Sequence, residues 1–202
     1  MDELKSAREL AMERIAKMTA ARQTDPAAKL RWEYEPKGQE IAARFLNNDK
    51  EKLDLISELA SINNDEGSKV AKRAMADVFI NNVALVDNLH ERRQVERALT
   101  GLREITEDKD AFDAINSDLM DLYQHNATEG NEQRKQLKEA LTSSYMQQLE
   151  RLKQQGIEID MQKMVPENSH EFQQQYRHYL NEIDGRYRVG IDDVKNRFAE
   201  LK

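Results

Sequence analysis

One run of apolar residues near the end of the chain constrains the fold more than any other feature. Nine such residues repeat at gaps of three or four, namely Phe172, Tyr176, Leu180, Ile183, Tyr187, Ile191, Val194, Phe198 and Leu201. This spacing places them on one narrow seam of a long helix, and the residues between them are mostly charged or amide. A helix of this kind must lie against another helix, so the sequence predicts helix-on-helix packing.

The composition also favours an all-α fold. Only 7 glycines and 3 prolines occur among 202 residues, of which 34% are charged, and this suits long helices better than a turn-rich sheet. The length is sufficient to bury a core without disulfides or metals. We predict one elongated helical domain over 1–202, with a compact part at about 1–106 and a long, coiled-coil-like helical hairpin at about 131–202.

Apolar periodicity locates the individual helices along the chain. Helices are predicted at 2–22, in a short stretch after Pro26, at 37–47, from about 49 to 62, at 68–105, at 108–125, at 131–155 and at 168–202. The segment 68–105 is predicted to be one unbroken central helix whose second half leaves the core as an arm. A loop is expected through Gly130, and the last helix is expected to continue across Gly185 and Gly190.

Two short segments show a different pattern, with apolar and charged residues in alternation. They lie at 32–36 and 157–162. Pro36 biases the residue before it away from helical geometry, so we predict that residues 32–36 are extended. One strand alone would leave its backbone groups unpaired, so the two segments are predicted to pair as a minor two-stranded ribbon.

Charge and composition exclude several functional classes. The chain has no cysteine, which removes disulfides, thiolate metal sites and thiol catalysis. The formal charge is -7, and the densest arginine stretch, at 92–103, is interleaved with glutamates, so nucleic acid is not an expected partner. No stretch reaches the length and apolarity of a membrane span or of a signal peptide. We therefore expect a cytoplasmic protein that does not bind membranes.

Three passages resemble an uncharacterised bacterial family of small helical proteins without cysteine, known only as a domain of unknown function. They read LKSARELAMERI, WEYEPKGQEIAARFL and VERALTGLREI. The most specific pieces are the passage with Trp32, Tyr34, Pro36 and Gly38 and the run at 42–44 that follows it. The resemblance covers roughly the first 106 residues. It implies an intracellular bacterial origin and no particular mechanism.

The histidines offer the one metal-like pattern in the sequence. Asp87 with His90, and Glu167 with His170, have the acid and histidine spacing of carboxylate-bridged metal sites in helical bundles. In a chain with 38 acidic residues such pairs also arise by chance, and no further inward carboxylates accompany them. We therefore expect these histidines to lie on the surface or to cap helices. A site formed by these four residues is the alternative, and otherwise we expect no metal and no cofactor.

Five residues are candidates for contact with a partner. Trp32 and Tyr34 are aromatic side chains on the predicted extended segment, where they could anchor a partner or close one end of the bundle. Arg186 and Arg188 flank a tyrosine between two glycines and could hold an anion, or they are ordinary solvated residues. Phe198 lies where the last helix is expected to overhang its neighbour, which would leave its seam open to another subunit.

Two hypotheses of different classes follow. The first is a non-enzymatic cytoplasmic scaffold or protein-interaction module that binds a protein partner or its own copy, because narrow seams suit helix pairing. The second is a metal-binding or ligand-binding helical bundle with carboxylate and histidine ligands. The sequence contains no nucleophile elbow and no glycine-rich phosphate loop, so we do not expect an enzyme.

Overall fold

The fold of the protein is all-α. A computed structural model describes Met12 and residues 25–47, 53–86, 89–157 and 165–202, and these contain no strand. The α-helices among them are α1 (Pro26–Asn47), α2 (Leu55–Ala60), α3 (Asp65–Asn81), α4 (Leu89–Ile105), α5 (Lys109–His125), α6 (Asn131–Gln154) and α7 (His170–Ala199). A π-helix joins α5 to α6, and one 3-10 turn precedes α7. None of the described helices is long and apolar enough to cross a bilayer.

The helices predicted in the second half of the chain are confirmed. Asp108 caps α5, since its Oδ1 accepts a hydrogen bond from the Ala111 N–H at 2.9 Å. α6 ends before Gly156, which has a φ of 88°. α7 begins after Ser169, slightly later than expected, and runs without a break through both of its glycines. The helix predicted at 2–22 lies outside the described residues, apart from Met12.

The chain divides into two compact units. Unit 1 contains Met1–Val83, Asn88–Phe112 and Phe198–Lys202, and unit 2 contains Ala84–Asp87 and Asp113–Arg197. In unit 1, α1 packs mainly on α3, and α4 contacts both of them and α2. Unit 2 consists chiefly of α5, the π-helix, α6 and α7. The single domain predicted over 1–202 stays a prediction.

The prediction that residues 32–36 are extended is wrong, and with it the first strand of the ribbon. α1 runs through Pro36 as one helix of 22 residues. Its buried face contains Gly38, Ile41 and Ala42, and Gly38 lies so close to α3 that an added Cβ would stand 2.2 Å from the Ala71 carbonyl oxygen. Packing along this face offsets the free energy lost because Pro36 has no N–H to donate to the helix. Apart from Ile157, which is not in a strand, the second extended segment lies outside the described residues.

The helix predicted from about residue 49 begins later. α2 is a helix of 6 residues that starts at Leu55. Asp54 caps it, since its Oδ1 accepts hydrogen bonds of 3.1 Å from the backbone N–H groups of Ile56 and Ser57. Leu55 and Leu59 are buried, and they hold this short helix against the rest of unit 1.

The prediction of one unbroken helix at 68–105 is also wrong, because α3 ends at Asn81 and α4 begins at Leu89. The Asn82 Nδ2 donates to the Val78 carbonyl at 2.8 Å, a local bond that competes with helix continuation. α4 then returns to α3, where Gly101 lies against the Phe79 ring. The high apolar content of 74–80 therefore reflects a helix covered by both α1 and α4, and the predicted arm packs in the core instead.

In unit 2, α5, the π-helix and α6 form one continuous helical segment, so the loop predicted through Gly130 is wrong. α7 runs antiparallel to this segment. Asp118 pairs with Arg197 at 2.7 Å, Leu122 contacts Gly190, and Tyr145 lies 6.1 Å from Phe172 between ring centroids. Early residues of the segment thus meet late residues of α7.

Candidate functional site

The π-helix Asn126–Gly130 is the most unusual local structure in unit 2. The Asn131 N–H bonds to the Asn126 carbonyl, five residues back, which is the π-helical pattern. Side chains satisfy carbonyls around it: the Thr128 Oγ1 donates to Gln124 at 3.0 Å, and the Asn131 Nδ2 donates to Ala127 at 2.9 Å. Side-chain bonds of this kind supplement the backbone hydrogen bonds of the turn. Such turns often occur at functional sites.

A group of polar side chains surrounds this π-helix, and we call it the polar cluster. Its members are His125, Asn126, Glu129, Arg134, Asp184 and Tyr187. Arg134 is at its centre: the Nη2 donates to the Asn126 Oδ1 at 2.6 Å and to the Asp184 Oδ1 at 2.8 Å, and the Nε donates to the same carboxylate oxygen at 3.1 Å. The Arg134 and Asp184 side chains are only 20% and 25% exposed. Charge-assisted bonds of this kind are stronger than neutral ones, so Arg134 joins α6 firmly to α7.

A second set of bonds in the polar cluster links Tyr187, His125 and Glu129. The Tyr187 hydroxyl lies 3.1 Å from the His125 Nδ1, and the His125 Nε2 lies 3.0 Å from the Glu129 Oε2. Both bonds are satisfied when the Nε2 carries the proton and the tyrosine hydroxyl donates to the Nδ1. Tyr187 is 6% exposed, so its hydroxyl would lose a hydrogen bond in a buried place without this partner.

Gly130 allows these groups to come together. An added Cβ there would stand 2.7 Å from the Asn126 Oδ1 and 3.0 Å from the Tyr187 hydroxyl oxygen. Any side chain at this position would therefore displace the tyrosine or the asparagine. The Arg134 guanidinium also lies 6.0 Å from the centre of the Tyr187 ring, within the range of a cation-π contact.

The chemistry that the polar cluster could perform is limited by how its groups are already paired. A general base needs an accessible atom within hydrogen-bond reach of a substrate proton. Here the two imidazole nitrogens of His125 contact Tyr187 and Glu129, and the tyrosine hydroxyl is buried. The arrangement is suited to fixing the position and rotation of α7 against the segment formed by α5, the π-helix and α6.

Trp32 and Tyr34, both predicted as candidate contacts for a partner, lie in different surroundings in the structure. Both lie on α1, where residues two apart do not share a face. Trp32 is 66% exposed. Tyr34 packs beside Gly67 of α3, and the Lys37 Nζ lies 4.3 Å from the centre of its ring. Trp32 is the more exposed of the two, and Tyr34 is partly exposed.

Arg186 and Arg188 are likewise not brought together. They are two residues apart on α7 and project in different directions. Both are exposed, and the Arg186 Nη2 donates to the Gln133 Oε1 at 3.2 Å. Their positions on α7 therefore give no support to a joint anion site of these two side chains.

Phe198 does not overhang into solvent, so the open seam predicted there is wrong. It is fully buried in unit 1, and its ring lies 5.1 Å from that of Phe112 between centroids. The chain itself covers the position that was expected to accept another subunit.

The structure gives no support to a metal site formed by Asp87, His90, Glu167 and His170. Asp87 lies outside the described residues, and His90 and His170 are exposed on their helices. Glu167 pairs with Lys138 at 3.1 Å, and a backbone hydrogen bond together with this lysine lowers the pKa of its carboxyl group. In the described part of the chain, no three histidine or acidic side chains form a group that could hold a metal ion.

A second candidate surface lies on an exposed side of α7 next to its buried seam, and we call it the outward stripe. It consists of Gln175, Tyr179, Glu182, Arg186, Val189 and Asp193, all exposed and separated by gaps of four and three. Val189 is 70% exposed and Tyr179 is 43% exposed. This spacing is the repeat with which one helix meets another, so α7 carries a second, more polar seam that is turned about 100° around the helix from its buried one.

Neither the polar cluster nor the outward stripe was recognised in the sequence. The run Asn126–Gly130 contains no large apolar residue and so predicts a loop, although Thr128 and the adjoining Asn131 carry side-chain donors that bond to backbone carbonyls around the π-helix. Arg134 could have indicated the polar cluster from the sequence. It precedes Leu137 by three residues, so it lies on the inner face of α6. A search for apolar periodicity does not detect the outward stripe, because only two of its residues are apolar.

The fold and these sites define an all-α protein in which paired polar side chains join long helices. Residues 56–200 match the model of DUF6657, a family of unknown function, and the chain belongs to this family. The expected membership in an uncharacterised family is confirmed. The matched range, however, includes the part after Thr106, where no resemblance was recognised, and omits the passage at 32–38. Comparisons with curated proteins and with solved structures each found no match.

Proposed function

We propose that this protein is a non-enzymatic, cytoplasmic helical scaffold or interaction module that binds a protein partner or its own copy. The observation that carries the proposal is the outward stripe of α7. Val189 and Tyr179 stand in solvent there, at helical spacing and with charged residues of both signs between them. Single exposed apolar residues are ordinary on a protein surface, but a repeat of this kind along one helix is suited to another helix.

The pairing within the polar cluster supports a structural role over a catalytic one. Arg134, Asp184 and Asn126 bond to one another, and the cluster includes a glycine contact that leaves no room beside Tyr187. A network of this kind rigidifies the helices around it. Rigid helices are good platforms for binding, because a partner then loses less free energy in ordering the surface.

The charges on the stripe favour a protein partner over nucleic acid. Glu182 and Asp193 accompany the single arginine, Arg186, so the stripe has no cluster of cations that could replace the counterions of a phosphate backbone. A protein helix with complementary charges fits this surface better.

Binding by purified components tests the proposal. Proteins that co-purify with the tagged chain from its native host are expressed separately, and their affinity for the chain is measured by calorimetry. We expect at least one of them, or the chain itself, to bind, and Val189→Lys to weaken binding about tenfold or more, as loss of a central contact does. Ile56→Lys, which changes an exposed apolar residue on α2, serves as the control.

The proposal fails if no captured protein binds the purified chain and the chain also shows no self-association. It fails as well if binding occurs but responds equally to the Val189 and Ile56 variants, because the stripe would then have no special part in recognition.

A further inference from the structure

The residues of the outward stripe are arranged symmetrically about Asp184. Tyr179 and Val189 lie five residues before and after it, and Glu182 and Arg186 lie two residues before and after it. If two copies of α7 lie antiparallel and cross at this point, each Tyr179 faces a Val189 and each Glu182 faces an Arg186. The same rule places Gln175 opposite Asp193, an amide opposite a carboxylate.

We propose that a second copy of this chain binds the outward stripe, antiparallel and about a two-fold axis at Asp184. The proposal rests on the proposed function and names its partner. In a two-fold interface each residue meets the counterpart of its own partner residue, so one surface must be complementary to itself. The stripe meets this condition with two apolar pairs and two pairs of opposite charge.

The alternative orientation is disfavoured by the same charges. In a parallel pair, Glu182 would face Glu182 and Arg186 would face Arg186, and like charges opposed across a helix pair are unfavourable. The antiparallel arrangement turns both of these repulsions into attractions, so the sequence of the stripe itself selects the orientation.

The charged groups of the stripe are able to change partners. Glu182 now lies 3.4 Å from the His178 Nε2, and Arg186 bonds to Gln133. The first pair is well exposed, with 69% and 61% of the side chains accessible, and such surface contacts contribute little free energy. Exchanging them for contacts with a second copy therefore costs little.

The polar cluster sets the direction in which the stripe points. Asp184 lies at the centre of the stripe along the helix but faces inward, where Arg134 holds it with two hydrogen bonds. Tyr187 is fixed on the same inner side by His125. These bonds prevent rotation of α7, so Tyr179, Glu182, Arg186 and Val189 remain directed to the outside.

The interface is short, and we therefore expect a weak and reversible dimer. At about 1.5 Å per residue, the stripe from Gln175 to Asp193 spans roughly 28 Å. A single pair of helices of this length belongs to the small, transient class of interfaces. Association should depend on protein concentration and on salt, because half of the central pairs are charged.

Sedimentation velocity of the full chain over a series of concentrations tests the proposal. We expect wild type to shift from monomer to dimer, and Glu182→Arg and Arg186→Glu each to weaken the dimer about tenfold or more, because each opposes like charges. The decisive sample is an equimolar mixture of the two variants. One stripe is then only positive and the other only negative at these positions, so the mixture should form a heterodimer that neither variant forms alone.

A matched pair of variants provides the control. Arg188 and Asp192 are also exposed, four residues apart on α7 and off the stripe. Arg188→Glu and Asp192→Arg, alone or mixed, should leave the association of the chain unchanged. Circular dichroism verifies that all variants keep their helices, as expected for exposed positions.

Three results would overturn the dimer: a wild type that stays monomeric at every concentration, single variants that associate like wild type, or a mixture that forms no heterodimer. A monomeric chain that still binds a different protein through Val189 would overturn this proposal and leave the proposed function standing. If that binding is absent too, both fail.

Discussion

The two units use different means to hold their helices in register. In unit 1, glycines allow neighbouring helices to pack closely because they have no side chain. Gly38 lies against the backbone of Ala71, and Gly101 lies against the ring of Phe79. In unit 2, Gly190 meets the Leu122 side chain in a similar way, but Gly130 at the π-helix lies against Asn126 and the Tyr187 hydroxyl. Steric fit therefore positions the helices of unit 1, whereas hydrogen bonds do so around the π-helix.

Burial follows the same division. The largest fully buried side chains of the described residues are Phe79, Phe112, Phe198, Leu55, Met75, Leu119 and Val83, and all but Leu119 belong to unit 1. Apolar burial is not directional, but hydrogen bonds are. Unit 1 should therefore be the more sensitive to changes of volume, and unit 2 to loss of individual polar atoms.

The steric side of this contrast can be broken at Gly38. Gly38→Ala places a Cβ 2.2 Å from backbone that cannot move away cheaply, so we expect a loss of about 3 kcal/mol in the free energy of unfolding. Gly185→Ala is the control, because nothing lies within 4 Å of that position; it should stabilise α7 by about 1 kcal/mol. Urea denaturation measures both. Equal effects of the two variants would refute the steric account.

The polar side can be broken at Arg134. Arg134→Met retains the aliphatic stem but leaves Asp184 and Asn126 without their donor, and we expect a loss of about 1 to 3 kcal/mol because these groups are mostly buried. Hydrogen exchange should report faster opening of α6 and α7, with α1 and α3 little changed. Arg188→Met, at an exposed site, should cost about 0.5 kcal/mol or less. A uniform change across both units would argue against a local role.

The tyrosine hydroxyl gives a sharper test within the polar cluster. Tyr187→Phe keeps the ring but removes the bond to His125, and we expect a loss of about 1 kcal/mol. Tyr179→Phe, on the exposed stripe, should leave the melting temperature unchanged at low protein concentration. If the two variants melt alike, the Tyr187 to His125 bond contributes nothing to stability.

The smallest effect is expected from pH at Glu167. A backbone hydrogen bond and Lys138 lower its pKa below the usual 4.5. A group of this kind stabilises the folded state above its unfolded pKa, and the contribution disappears as the pH falls through the lower folded value. Glu167→Gln should therefore lower the melting temperature slightly near neutrality and not in acid. A Glu167→Gln variant whose melting temperature follows that of the wild type at every pH would contradict this account.

The sequence predicted the helices best where one buried face has a regular period. The seam from Phe172 to Phe198 predicts α7, and its continuity across two glycines is correct because those residues interrupt neither the period nor the hydrogen bonds. Prediction failed at Pro36, at Asn82 and at Gly130. Each of these residues weakens a helix locally, and its outcome depends on neighbours that are distant in the chain.

The candidate sites show the same limit. The pattern of α7 contains the outward stripe, yet exposure distinguishes Val189 from the buried seam only once the neighbours of α7 are known. The polar cluster joins residues at 125–134 with Asp184 and Tyr187, and no local spacing relates these two groups. Phe198 was assigned to a free end because the sequence does not show that Phe112 covers it.

The amino-acid sequence alone determined that this protein is helical, free of cysteine and built from narrow apolar faces, because those properties depend on composition and on short-range period. Only the tertiary structure decided that α1 continues through a proline, that α3 and α4 are separate helices, and that a π-helix joins α5 to α6. In each case the local preference is worth only a few kcal/mol. Contacts between distant segments are collectively larger, and so they determine the outcome.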